Sequence, residues 1–239
     1  FLASKNDAKK SVPIGTIFER RENMLLKMFR DVVGDMDMYT NIYVVADEKT
    51  KEGIVIDPGG AIGKVYNYIE NMHITLQYII LTHCHADHIA GLKVLHQYYP
   101  SAKIAIHEKD RKGLTDSNIN MCDTVGIPAN FVESDISLKE DDVIPFGDLK
   151  AKIIHTPGHT AGSISILIND ALFTGDTIFK RMYGRTDLPS GSDADMQFSI
   201  RKLLSYPDNT IVYPGHGAIS IIREEREHYE FLENGMYFM

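Results

Sequence analysis

An α/β layered domain is predicted from three observations. Apolar strand-like runs alternate with helix-like runs along the chain, and Gly, Pro and Asp punctuate the changeovers. In addition, 239 residues at 44% hydrophobic are enough for one large core, with no low-complexity linker to divide it.

Taken in order, residues 1–23 are polar and charged and lack a sustained apolar stretch. They read as an N-terminal extension or an expression remnant, and a removed signal peptide stays open. Residues 24–239 read as a single domain. Its first strand falls at 24–29, followed by a strand pair at 41–46 and 53–56 around a charged turn. Asp57-Pro58-Gly59-Gly60 breaks the second of these and leads into a helix over 61–71. An apolar run at 76–81 reads as a buried strand, with a helix over 90–98 and a strand at 103–106 after it. Residues 115–128 are polar and weakly patterned. Strands follow at 150–155, 163–168 and 171–174, then a helix over 195–204, a strand at 210–213 and a last helix over 219–232. The final five residues, 235–239, are apolar enough to cap the core or to meet another subunit.

Composition narrows the partners. A net charge of −8 argues against broad attraction to nucleic-acid phosphates or anionic membranes. No apolar stretch approaches a membrane span. Two cysteines, Cys84 and Cys122, are too few for a disulfide scaffold, and a reduced, cytoplasmic setting is expected.

The chemistry concentrates at His83-Cys84-His85-Ala86-Asp87-His88, which follows directly on the strand ending at Thr82. Imidazoles and a carboxylate gathered at a strand end suit a divalent metal such as zinc. Cys84 lies between two donors, but neighbouring side chains of an extended segment point opposite ways, so it reads as a packed thiol. Three further donors, His159, Asp176 and His216, also sit at strand ends beside glycine, where a tight turn projects a side chain into a shared cleft. Seven donors are enough for two metals with positions left open for water.

These motifs resemble the metallo-β-lactamase-fold hydrolase superfamily, within it the glyoxalase II-like branch of compact single-domain type. They are Thr82-His83-Cys84-His85-Ala86-Asp87-His88, Thr156-Pro157-Gly158-His159-Thr160, Gly175-Asp176-Thr177, Gly184-Arg185-Thr186-Asp187 and Tyr213-Pro214-Gly215-His216-Gly217. The resemblance spans about 24–232. It implies an αβ/βα four-layer sandwich, two mixed β-sheets flanked by helices, with the site at the edge between the sheets. It implies two divalent metal ions, zinc first with iron or manganese as alternatives. His83, His85 and His159 would hold one, Asp87, His88 and His216 the other, and Asp176 would bridge them.

Asp57 looks like the family carboxylate that orients a ligand histidine, or else a plain turn carboxylate. Arg185 would meet an anionic part of the substrate, or pair with Asp187 to hold its loop. Tyr183 offers a hydroxyl to the cleft, or is simply an exposed or packed ring. His228 reads as a surface or packing residue.

The implied activity is hydrolysis of a small-molecule thioester by a metal-bridging hydroxide, with Asp87 and Asp176 as the catalytic carboxylates. A thiolate departs without a proton donor and an amine does not, which favours a thioester over an amide. Glyoxalase II enzymes proper carry a helical C-terminal region that grips glutathione, whereas 239 − 216 = 23 residues follow His216 here, so glutathione specificity is in doubt. The alternatives are a mononuclear iron persulfide dioxygenase using His83, His159 and Asp176, a lactone or ester hydrolase, and a non-catalytic metal-binding scaffold.

Overall fold

Strands apolar on both faces need cover on both sides, and the fold provides it. The computed structural model describes residues 18–21, 23–34, 39–128 and 132–233. The first sheet runs in chain order: β1 (Phe18–Arg21), β2 (Met24–Val32), β3 (Tyr39–Asp47), β4 (Glu52–Ile56), β5 (Thr75–Ile80), β6 (Lys103–His107) and β7 (Ile136–Leu138). The second contains β8 (Val143–Phe146), β9 (Leu149–His155), β10 (Ile164–Ile168), β11 (Ala171–Gly175), β14 (Ile211–Pro214) and β15 (Ser220–Ile221), in the order β15-β14-β11-β10-β9-β8. Two short strands, β12 (Ile178–Phe179) and β13 (Met182–Tyr183), form a separate hairpin. The helices are α1 (Ile62–Asn71), α2 (Ala86–Ile89), α3 (Leu92–Tyr98), α4 (Ser117–Asn120), α5 (Asp193–Leu204) and α6 (Ile222–Glu233).

The period of two in β3 shows how the layers arise. Ile42, Val44 and Ala46 face a cluster with Val65 and Ile69 of α1 and Leu92 and Leu95 of α3. Tyr43 and Val45 face the other way, into a cluster shared with Phe146, Ile153, Ile166 and Phe173 of the second sheet. A third cluster packs Met196, Ile200 and Leu203 of α5 and Tyr229 of α6 on the outer face of that sheet. The result is helix, sheet, sheet, helix, the four-layer α/β sandwich with two mixed sheets that the resemblance implies. Each large apolar side chain buried this way contributes about 1.5–3 kcal/mol. The inter-sheet cluster also stacks Phe173 on Tyr213, with Tyr43 set edge-on to both at 5.0 and 5.8 Å.

Both sheets mix directions. β1 to β4 are antiparallel neighbours, whereas β4, β5, β6 and β7 run parallel, which requires crossovers through α1 and α3. In the second sheet β11 and β14 are parallel, joined across α5. Parallel strands bring their carboxyl ends to one edge, where open α/β sheets form ligand crevices. Asp57 and the His83 segment follow β4 and β5, and Asp176 and His216 follow β11 and β14.

The expected elements appear with shifted ends. The first strand extends to Val32, and the histidine segment itself turns into the short α2 before α3. β1 brings residues 18–21, set apart above with the extension, into the first sheet through Phe18↔Lys27 and its neighbours. Residues 1–17 and the apolar tail 235–239 lie outside the described residues. β7, β8, β12, β13 and β15 went unpredicted because they are two to four residues long. β8 also contains Pro145, which is tolerated because β8 ends the sheet order. Among the described residues no helix is long and apolar enough to cross a membrane.

At the junction of the sheets, the rings of His107 and His155 stack at 4.1 Å with planes 6° apart. Burial, reinforced by the neighbouring His155, pushes His107 down to about 4. The unfolded chain therefore takes up a proton on His107 below its ordinary pKa near 6.5, and the folded protein does so only near 4. Stability from this residue is complete above about 6.5 and falls as the pH drops toward 4. Urea unfolding across that window should show a shallower pH slope in His107→Gln than in the parent; an unchanged slope would contradict it.

Candidate metal centre

The donors predicted from the sequence come together in adjoining groups at the sheet edge. His83, His85 and His159 form one group, His83, His88 and Asp176 a second, and Asp87, His88 and His216 a third. Within each group the ligand atoms lie within 4.8 Å of one another. Asp176 lies between the sets. Its Oδ1 is 3.3 Å from His88 Nε2, and its Oδ2 is 3.4 Å from His159 Nε2 and 3.3 Å from His216 Nε2. Asp87 Oδ2 is 3.4 Å from His88 Nε2 and 3.3 Å from His216 Nε2.

Three of the five rings are aimed by their other nitrogen. His88 Nδ1 donates to Asp57 Oδ2 at 2.9 Å, His159 Nδ1 to the Arg185 carbonyl at 2.7 Å, and His216 Nδ1 to the Tyr39 carbonyl at 2.9 Å. That leaves three Nε2 atoms facing inward, the tautomer a metal requires. Asp57 is buried with φ 51, a left-handed conformation uncommon for a non-glycine residue. Its carboxylate also accepts from Thr82 N at 2.7 Å and Thr82 Oγ1 at 2.6 Å, so it links β4, β5 and α2. Asp57 thus meets both the His88 ring and the Thr82 backbone and hydroxyl.

The turns carrying the donors are fixed locally. Asn41 N donates to the Gly215 carbonyl at 2.7 Å, and Tyr43 Oη donates to Pro214 O at 2.6 Å. Arg30 holds the Gly217 carbonyl. A Cβ at Gly215 would run into Asp176 Oδ1 and the His88 ring, so only glycine fits beside these donors. Thr40 Oγ1 donates to Asp87 Oδ2 at 2.9 Å and sets that carboxylate. Cys84 is fully buried in the outer apolar cluster, as expected of a packed thiol.

Charge divides the site in two. Burial holds His83 well below its ordinary range and His85 down at about 3, so both present neutral lone pairs. Burial opposes charge on His88 too, but Asp87, Asp176 and Asp57 raise it well above its usual value. His216 is likewise pushed up to about 10, burial being outweighed by Asp176 and Asp87. Asp176 and Asp87 ionise at unusually low pH, since His216 and His88 overcome the effect of burial. Two buried carboxylates, Asp57 and Asp176, and the part-buried Asp87 thus demand positive charge at this spot.

A divalent cation fits this set on chemical grounds. His83 Nε2 and Asp176 Oδ1 are buried without a protein hydrogen-bond partner, a costly state that coordination would relieve. The nitrogen and carboxylate donors suit zinc, iron or manganese.

Residues 36–216 match the profile of the Metallo-beta-lactamase superfamily. The chain belongs to that superfamily. Among its members it is 32% identical over 199 residues to the hydroxyacylglutathione hydrolase GloC of Haemophilus influenzae, covering 81% of this chain and 93% of GloC. It is 30% identical over 195 residues to the mitochondrial persulfide dioxygenase ETHE1 of Mus musculus, covering 78% and 69%. Of solved superfamily structures, the BLEG-1 B3 metallo-beta-lactamase matches with TM-score 0.77 and 31% identity, covering 86% of this chain and 99% of that one. TTHA1623 in a di-iron-bound form matches with TM-score 0.71 and 26% identity, covering 82% and 96%. The His/Asp cluster in this superfamily fold implies divalent metals.

The remaining predicted residues take lesser places. Arg185 pairs with Asp187 through two 2.7 Å bonds, and its contribution to the donor cluster is its backbone carbonyl. Tyr183 lines the cleft as a part-exposed ring. His228 is half-buried and belongs to none of the donor groups. Sequence reasoning missed Thr40, the Tyr39 carbonyl and Asp110. Asp110 is a buried carboxylate that accepts from Cys84 N, Thr160 Oγ1 and Gly162 N. A lone Asp in a charged stretch gives no sequence signal for such a role.

Proposed function

We propose that the chain is a hydrolase that holds two divalent metals, most simply zinc, and cleaves a thioester. One observation carries the reading: Asp176 stands with one oxygen toward His88 and the other toward His159 and His216, between two otherwise complete donor sets. His83, His85 and His159 would hold one ion, and Asp87, His88 and His216 the other. The similarity to a hydroxyacylglutathione hydrolase supports the substrate class.

Two such ions supply hydroxide near neutral pH and polarise a carbonyl. The chain's own residues do the positioning. Thr40 fixes the Asp87 carboxylate, which lines the cleft. Asp57 holds the His88 ring and Asp176 sets the spacing between the sets. Among the described residues both basic side chains of the cleft are already paired, Arg185 with Asp187 and Lys180 with Glu224 at 3.6 Å. A thiol with a pKa near 8.5 departs without a proton donor, and the cleft then has to supply none.

Replacing Asp57 by Asn should weaken metal binding at the His88 position about 10- to 100-fold while the other position stays filled. Competition with a chromophoric chelator would measure this, and equal affinity at both positions would count against it.

A second reading is favoured by the similarity to a persulfide dioxygenase. His83, His159 and Asp176 are all present for it. Metal quantitation on purified protein followed by assays with thioesters, lactones and glutathione persulfide separates the two. Two metals and thioester cleavage support the hydrolase. One iron with oxygen uptake on persulfide would replace it, and no metal with no activity would leave a scaffold.

A further inference from the structure

The donor groups form the floor of a cleft of about 600 Å³. Its walls are apolar: Val33, Met121, Val125, Phe179, Met182 and Leu188. The polar groups among them are mostly committed. Asn120 donates to the Gly113 carbonyl at 2.7 Å and accepts from Cys122 N at 3.0 Å. Arg185 is held by both oxygens of Asp187, and Lys180 faces Glu224. An anionic substrate arm would therefore have to take a cation from its carboxylate partner or sit uncompensated against apolar walls, which is costly. An alkyl arm gains contact with every wall.

We propose that the cleft binds an uncharged alkyl arm on the substrate's carbonyl centre, and not the carboxylate-bearing body of a peptide thiol such as glutathione. The inference rests on the thioesterase reading above for its chemistry, but its recognition element is the cleft wall. The arm has two possible sources, the acyl group or the thiol. The geometry is the same for both.

Two substrate series on the zinc-loaded protein distinguish them. In one, N-acetylcysteamine thioesters run from acetyl to decanoyl; in the other, acetyl thioesters carry thiols from ethanethiol to octanethiol. In whichever series supplies the arm, kcat/KM should rise roughly three- to fourfold per added methylene until the cleft is filled. The longest member should exceed S-lactoylglutathione. Met182 is 65% exposed, so Met182→Lys should fold normally and flatten the rise. Calorimetric titration with non-hydrolysable S-alkyl-N-acetylcysteamine thioethers gives a readout independent of turnover, and affinity should climb with chain length.

Flat series in both arms, or a preference for S-lactoylglutathione, would overturn the proposal while leaving the thioesterase reading in place. Chain-length-dependent thioether binding without cleavage of any thioester would uphold the alkyl cleft and remove the thioesterase. Thioether binding that ignores chain length would overturn it as well.

Discussion

Asp176→Ala should strip both metals from the protein. Its carboxylate lies between the donor sets, with Oδ2 3.4 Å from His159 and 3.3 Å from His216 and Oδ1 3.3 Å from His88, so its loss removes a donor from both. Metal content by mass spectrometry is expected to fall from two per chain to near zero. Thioester kcat/KM should drop on the order of 10³-fold or more, beyond the loss of a single preorganised donor. His216→Ala is the informative contrast. It leaves His83, His85, His159 and Asp176 intact and should mainly empty the second position, giving about one metal per chain on the same ligand accounting. Circular dichroism on both variants controls for folding, which should survive because the donors lie outside the apolar clusters. Two metals and full activity in Asp176→Ala would end the two-metal assignment.

How far the sequence reaches depends on the kind of information a position carries. The seven donors were legible because each pairs a ligand-type side chain with a strand end and a turn, a local pattern. The four layers were legible for a similar reason: runs such as 42–46 are apolar at every position, which demands cover on both faces. What stayed hidden is either non-local or made by backbone. Thr40 meets Asp87 across 47 residues of chain, and His159 and His216 are aimed by the carbonyls of Arg185 and Tyr39, whose side chains are irrelevant to the contact. For Arg185 the sequence left two readings open, an anion contact and a pairing with Asp187, and its guanidinium is engaged by Asp187, two residues away.

Asp110 is the clearest case of a hidden residue, and its removal should be the most destabilising change near the site. Its Oδ2 accepts from Cys84 N at 3.1 Å and Thr160 Oγ1 at 2.7 Å, and its Oδ1 accepts from Gly162 N at 2.8 Å. Cys84 stands between His83 and His85, and Thr160 follows His159. One buried carboxylate therefore ties together the two segments that carry the first donor set. Burial raises its pKa and the donors only partly counter this, so the group is retained at a cost. Alanine would leave two buried backbone N–H groups without an acceptor, at about 1–3 kcal/mol each, for a total near 3–5 kcal/mol. For a chain of this size that lowers Tm by roughly 10 °C. Asparagine should fall between, since its single oxygen can serve only one side of the clamp while its NH₂ opposes a donor on the other. Because Asp110 touches neither Asp87 nor His216, metal loss in both variants should begin at the His83, His85 and His159 position. Thermal melts with and without chelator, read alongside metal content, test the two halves together. An unchanged Tm, or metal lost first from the Asp87, His88 and His216 position, would show that the ligand loops hold their geometry without this clamp.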